Sequence, residues 1–186
     1  SWGFAPALAA GNAVVLKPAE WTPLTSIRLG ELAVQAGLPD GLFQVLPGKG
    51  SVVGNRFLTN ETVRKIVFTG STAVGKQIMR EASDQVKRVT LELGGKSANI
   101  VFADADVDKA AATAPSSVFE NSGQDCCARS RILVQRSVFD RFMEGLEKSV
   151  KAFAVGDPTQ ESTEMGPLVH ASHFASVSSY MDGADA

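Results

Sequence analysis

Short apolar runs rich in β-branched residues alternate with amphipathic segments along the first half of this 186-residue chain, and that alternation constrains the fold more than any other feature. Runs such as Val14-Val15-Leu16 and Ile66-Val67-Phe68 carry little polar alternation, which predicts parallel strands covered on both faces. The amphipathic segments between them predict crossover helices, because consecutive parallel strands need a long connection. Strands are expected at 13–16, 42–46, 65–68 and 88–93, and helices at 24–36, 51–58 and 72–83. The opening residues also read as helix. After Gly94 and Gly95 the pattern restarts, with a strand at 99–102, a helix opened by Asp106 and broken near Pro115, a strand at 131–135 and a helix at 138–153. The double glycine reads as a hinge. It divides an α/β chain into two lobes, 1–94 and 95–186.

Chemistry concentrates in residues 119–131, F-E-N-S-G-Q-D-C-C-A-R-S-R. A thiolate attacks carbonyls where a thiol does not, so a nucleophilic cysteine belongs in an accessible loop near favourable dipoles or cations. Gly123 lets the chain bend tightly beside Cys126, so that the Cys126 N–H could face an oxyanion on the attacked carbon. The competing fate of Cys126 is that of a small core hydrophobe, the commonest role of free cysteine. Cys127 is expected to be structural, since adjacent residues point in opposite directions. Upstream, L-E-L-G-G-K-S at 91–97 offers Glu92 as a carboxylate base. Burial beside Leu91 and Leu93 would raise its pKa toward neutrality. Its plainer role is a strand-end carboxylate capping the glycine turn.

Two glycine-rich turns lie where strands give way to helices. Residues 48–54 read G-K-G-S-V-V-G, one residue longer than the usual dinucleotide fingerprint. Residues 70–76 read G-S-T-A-V-G-K and mimic a P-loop, but Gln77 stands where a magnesium-binding Ser or Thr belongs. Either turn could bind phosphate through N–H groups at a helix start, or simply close a strand–helix connection. Lys17 and Glu20 follow the first expected strand, at the end of a parallel sheet where ligands collect.

Taken together these motifs resemble the aldehyde dehydrogenase superfamily, whose F-x-N-x-G-Q-x-C and L-E-L-G-G-K-S signatures match 119–126 and 91–97. Residues 5–25, 47–54 and 67–75 also look like that family's segments in the family's order, so the likeness covers practically the whole chain. The resemblance implies a Rossmann-like parallel sheet in a coenzyme-binding lobe, followed by the first part of an α/β catalytic lobe. It implies NAD-dependent oxidation of a small-molecule aldehyde to a carboxylic acid, with Cys126 as nucleophile and Glu92 activating water against a thioester. Relatives that pass the acyl group to coenzyme A lack that glutamate. The same likeness gives Ser71 a pyrophosphate contact, Gly50 and Gly54 a close approach to the cofactor, and Lys17 and Glu20 the adenosine ribose. It adds Thr69, Gly70, Val74, Leu93 and Gly94 to the cofactor contacts. A carboxylate at Glu20 would repel a 2′-phosphate, which favours NAD over NADP.

Composition excludes several alternatives. A net charge of −2 offers no general attraction for nucleic acid or anionic membrane. No apolar run reaches the roughly eighteen residues that a spanning helix needs. Two adjacent cysteines make no disulfide framework, and a reactive thiol favours a reducing compartment, so a cytoplasmic location is expected. His170 and His173 are expected on a helix surface, and no metal is expected. The chain reads as an internal fragment: the resemblance places an oxyanion-completing asparagine before Ser1 and an E-x-F-G-P segment after Ala186. An inactive truncated piece is therefore an alternative to a working enzyme, and a P-loop nucleotide-binding protein a remoter one. The full-length protein is expected to be a homodimer or homotetramer.

Overall fold

In a computed structural model that describes residues 2–184, the chain forms two units, Ser1–Leu93 and Gly94–Ala186. The first begins with α1 (Phe4–Ala9), β1 (Val14–Leu16), α2 (Leu24–Gln35) and β2 (Phe43–Val45). A π-helical turn at Gly50–Gly54 runs into α3 (Asn55–Thr59), and β3 (Lys65–Gly70), α4 (Thr72–Ala82) and β4 (Arg88–Leu93) complete the unit. β1 pairs with β2 and β3 with β4, both in parallel. Parallel pairing follows from the helical crossovers, which return the chain to the same end of each strand.

Strand alternation sorts β3 and β4 into two faces. Ile66, Phe68, Val89 and Leu91 pack against a core of Leu58, Ile78 and Ala82. The opposite face carries Val67 and Thr69 from β3, with Thr90 and Glu92 as their register partners on β4. α4 starts where the Ser71 hydroxyl accepts the Val74 N–H at 3.3 Å, an N-cap that satisfies one orphan donor. Its glycine, Gly75, allows close approach to β4: a Cβ there would lie 2.8 Å from Leu93 Cδ2.

The second unit contains β5 (Ala98–Val101), α5 (Val107–Thr113), α6 (Ser116–Phe119), β6 (Arg131–Val134), α7 (Phe139–Ala152) and α8 (Ala171–Met181). Asp106 caps α5 by accepting the Lys109 N–H at 3.1 Å. Pro115 stands before the first residue of α6, so the expected break falls where a proline has no N–H to give. β5 and β6 pair in parallel. Around Phe142, which is completely buried, Val101, Val107, Ala111 and Ala114 form the core. The Arg141 guanidinium grips Asp108 with both nitrogens, Nε to Oδ1 at 2.9 Å, and ties α7 to α5 at the surface. That pairing holds the Asp108 carboxyl below its ordinary range.

One expectation needs correction. The strands are not covered on both faces: Val15, Val67, Ile100 and Leu133 remain 40 to 58% exposed. The strands pair two by two, β1 with β2, β3 with β4 and β5 with β6. The sequence also reads as helix at 182–186, but α8 stops at Met181 and residues 182–184 form a turn; residues 185–186 lie outside the described residues. Among the described residues no helix is long and apolar enough to cross a membrane.

Phe142 is the pivot of the second unit's core. Phe142→Ala should cost about 3–5 kcal/mol, read as a lower guanidinium midpoint for loss of helical circular dichroism. An unchanged midpoint would show that the α5–α7 packing does not hold this unit together.

Candidate active site

The cysteine loop owes its shape to an unusual run of backbone. Asn121, Ser122 and Gly123 take φ values of 51°, 57° and 74°, three left-handed residues in succession. Glycine does this freely and asparagine tolerates it, but serine pays about 1–2 kcal/mol. Hydrogen bonds offset that strain. The Asn121 side-chain amide donates to the Gln124 carbonyl and the Gln124 amide to the Asn121 carbonyl, each at 3.2 Å, a reciprocal clamp across the bend. Ser122 Oγ donates to the Gly166 carbonyl at 3.0 Å, and the Phe119 ring meets Phe153 edge-on at 5.5 Å. On the far side, the Arg129 N–H donates to the Ser117 carbonyl at 3.2 Å.

Cys126 emerges from this held loop exposed to solvent. The core-hydrophobe role is therefore not the one it has in this unit. Its backbone N–H has no acceptor among the described residues, whereas the Cys127 N–H is taken by Asp125 Oδ1 at 3.2 Å. Cys127 is not turned away from its neighbour as expected. It is exposed too, and its Sγ donates to both Asp125 oxygens at 3.2 and 3.3 Å. The loop backbone sets these directions, where strand alternation would have separated them. The Cys127 thiol holds the Asp125 carboxyl below its usual value. In return that carboxylate, which accepts from the thiol, raises Cys127 above the usual thiol value.

In the first unit, Glu92 ends the open face of β3 and β4. It lines a cavity of about 340 Å³ together with Trp2, Gly3, Val67, Thr69 and Thr90. The burial expected of Glu92 is absent here: it is exposed at the strand end, while Leu91 and Leu93 point to the other face. Trp2, Gly3 and Thr90 are members of this cavity that the sequence motifs do not mark. Thr90 had a signal, since it stands two residues before Glu92 on the same strand face.

Lys17 and Glu20 converge with the first glycine turn. Lys17 Nζ donates to the Pro18 and Gly48 carbonyls at 2.6 and 3.2 Å, and Glu20 Oε1 accepts the Gly50 N–H at 2.9 Å. Glu20 Oε2 has no partner among the described residues. A Cβ added at Gly50 or Gly54 would meet nothing within 4 Å, so the surface there is open. In the second turn Thr69 lines the Glu92 cavity, Gly70 ends β3 opposite Leu93, and Ser71 caps α4. Val74 is 43% exposed on the first turn of α4, and Gly94 is exposed just past β4. Gly75 packs against Leu91 and Leu93, which gives the P-loop-like second glycine a packing role. His170 and His173 are half-buried and not plain surface residues: the His170 ring caps α8 by accepting the His173 N–H at 3.3 Å.

The profile of the aldehyde dehydrogenase family matches residues 1–186. A curated relative, the cytosolic 10-formyltetrahydrofolate dehydrogenase of Xenopus laevis, is 48% identical over 181 residues, 97% of this chain and 20% of that protein. Among solved structures, an indole-3-acetaldehyde dehydrogenase in complex with NAD+ is 46% identical with a TM-score of 0.94, and 97% of this chain covers 37% of it. An Escherichia coli NADP-dependent enzyme is 43% identical with a TM-score of 0.93, over the same shares. The chain thus spans between a fifth and just over a third of these relatives. From its first residue to its last, it belongs to the aldehyde dehydrogenase family.

Proposed function

We propose that this chain is the portion of an NAD-dependent aldehyde dehydrogenase that carries the nucleophile, the water-activating base and the dinucleotide turns. The observation that carries this reading is Cys126: an exposed thiol with an unengaged N–H, at the motif position, on a loop clamped into a left-handed bend. The reaction converts an aldehyde, water and NAD+ into a carboxylic acid, NADH and a proton. Cys126 Sγ bonds to the aldehyde carbon, and the carbonyl oxygen takes up the electron pair as an oxyanion. The Cys126 N–H donates to that oxygen, a preorganised dipole of the kind worth about 10² to 10³ in rate. A dinucleotide held at the Gly50, Gly54 and Ser71 turns would supply the hydride acceptor, and loss of hydride from that carbon would leave a thioester on Cys126. Glu92 then draws a proton from water, the hydroxide attacks the thioester, and the acid departs as the sulfur is restored.

Cys127 is given no part in the attack, because its sulfur is engaged with the Asp125 carboxylate. The open surface at Gly50 and Gly54, with Glu20 beside it, suits a ribose diol that donates to the carboxylate. Lys17, already gripping the Gly48 carbonyl, fixes the turn on which the ribose would rest.

In the complete polypeptide, Glu92→Gln should keep a first-turnover burst near one equivalent of NADH while steady turnover falls about 10²- to 10⁴-fold. Full steady-state turnover in that variant would remove Glu92 from the mechanism. Replacing Glu20 by Gln should raise kcat/KM for NADP relative to NAD by at least about tenfold, since a like charge facing the 2′-phosphate is removed. An unchanged preference would place cofactor selection elsewhere.

A further inference from the structure

We propose that Asp125, Cys126 and Cys127 together form a chelating site for one soft divalent cation, zinc or cadmium. One Asp125 oxygen and the two sulfurs all lie within 4.8 Å of one another on the exposed loop. One of these separations is already short: Cys127 Sγ lies 3.2 Å from Asp125 Oδ1 and 3.3 Å from Oδ2. With Zn–S near 2.3 Å and Zn–O near 2.1 Å, a tetrahedral ion separates its ligand atoms by about 3.6–3.8 Å. The three donors therefore need to shift by no more than about 1 Å to surround such an ion, the Cys127–Asp125 pair opening slightly.

The loop holds the donors in place before any ion arrives. The Cys127 N–H donates to Asp125 Oδ1 at 3.2 Å, and the Ala128 N–H donates to the Asp125 carbonyl at 3.3 Å. Those bonds wrap a turn around the carboxylate with both sulfurs on its rim. Two thiolates select a thiophilic ion over magnesium or calcium, which prefer all-oxygen shells. Exposure leaves the fourth position to water. On binding, each cysteine forms a sulfur–metal bond and gives its proton to solvent, while the carboxylate coordinates as the anion it already is. Two protons leave for each cation bound.

The site itself does not depend on the catalytic reading; its consequence does. If Cys126 is the nucleophile, the lone pair that would attack an aldehyde is committed to the metal, and the loaded loop is chemically silent until the ion is removed. The neighbouring Cys127, idle in the oxidation, then has a use as the second arm of the chelate.

The test titrates cadmium chloride into the reduced, metal-free 186-residue chain. Ultraviolet sulfur-to-cadmium charge transfer reports the bonds, and calorimetry gives stoichiometry and affinity. The expected result is one cadmium per chain with a band of two-thiolate intensity, displaced by zinc and untouched by magnesium. Cys127→Ser and Cys127→Ala should each halve the band and weaken binding by at least about tenfold. Asp125→Asn should weaken binding with the band intact. The proposal is overturned if these variants bind as tightly as the parent. Equal affinity in the guanidinium-unfolded chain overturns it too, because the folded loop would then contribute nothing. Circular dichroism of each variant separates loss of ligand from loss of fold. A normal cadmium titration beside an inert Glu92 would leave this site standing and the catalytic reading fallen; the reverse pattern would do the opposite.

Discussion

The in-register parallel pairing of β3 and β4 is the interaction on which the first unit's candidate site depends. Thr69 opposes Glu92 and Gly70 opposes Leu93, so the glycine turn and the carboxylate leave the sheet at the same end. A slip of one residue would carry Glu92 to the face now filled by Leu91 and Phe68, and would bury a charge among Leu58, Ile78 and Ala82. Burial on one side thus aims the acid on the other. The same logic sets α4, whose Gly75 must sit close over Leu93 for its Ser71 end to reach the turn.

The second unit solves a different problem, holding a small polar loop still without burying it. Three left-handed residues make the bend, and the Asn121–Gln124 clamp with the Ser122–Gly166 bond offsets their cost. The core around Phe142 lies elsewhere in the unit, so the loop is fixed by hydrogen bonds and by Phe119 on Phe153. Directional bonds suit the part proposed for Cys126, which must stay exposed while its backbone is held.

Element positions were legible in the sequence because punctuation and period agreed. Asp106 before an apolar-periodic run and Pro115 after it each mark a helix end with a mechanism. Coverage of the strands was not legible. Val67 and Ile100 sit in apolar runs that look two-sided, yet both are exposed. The geometry of the candidate site was legible in part. Cys126 and Glu92 stood out by motif, but the exposure of Glu92 follows from tertiary placement that spacing does not encode. The convergence of both sulfurs on Asp125 depends on loop torsions, and strand-like alternation pointed the other way.

The central claim is that Cys126 forms a covalent bond with the aldehyde carbon. Intact-mass and peptide mass spectrometry of the complete polypeptide, quenched in acid during turnover with NAD and an aldehyde, tests it most directly. An acyl mass on the peptide containing Cys126, absent from Cys126→Ser together with acid formation, is the predicted result. Undiminished acid formation by Cys126→Ser, or an acyl group found on Cys127 alone, would contradict the account.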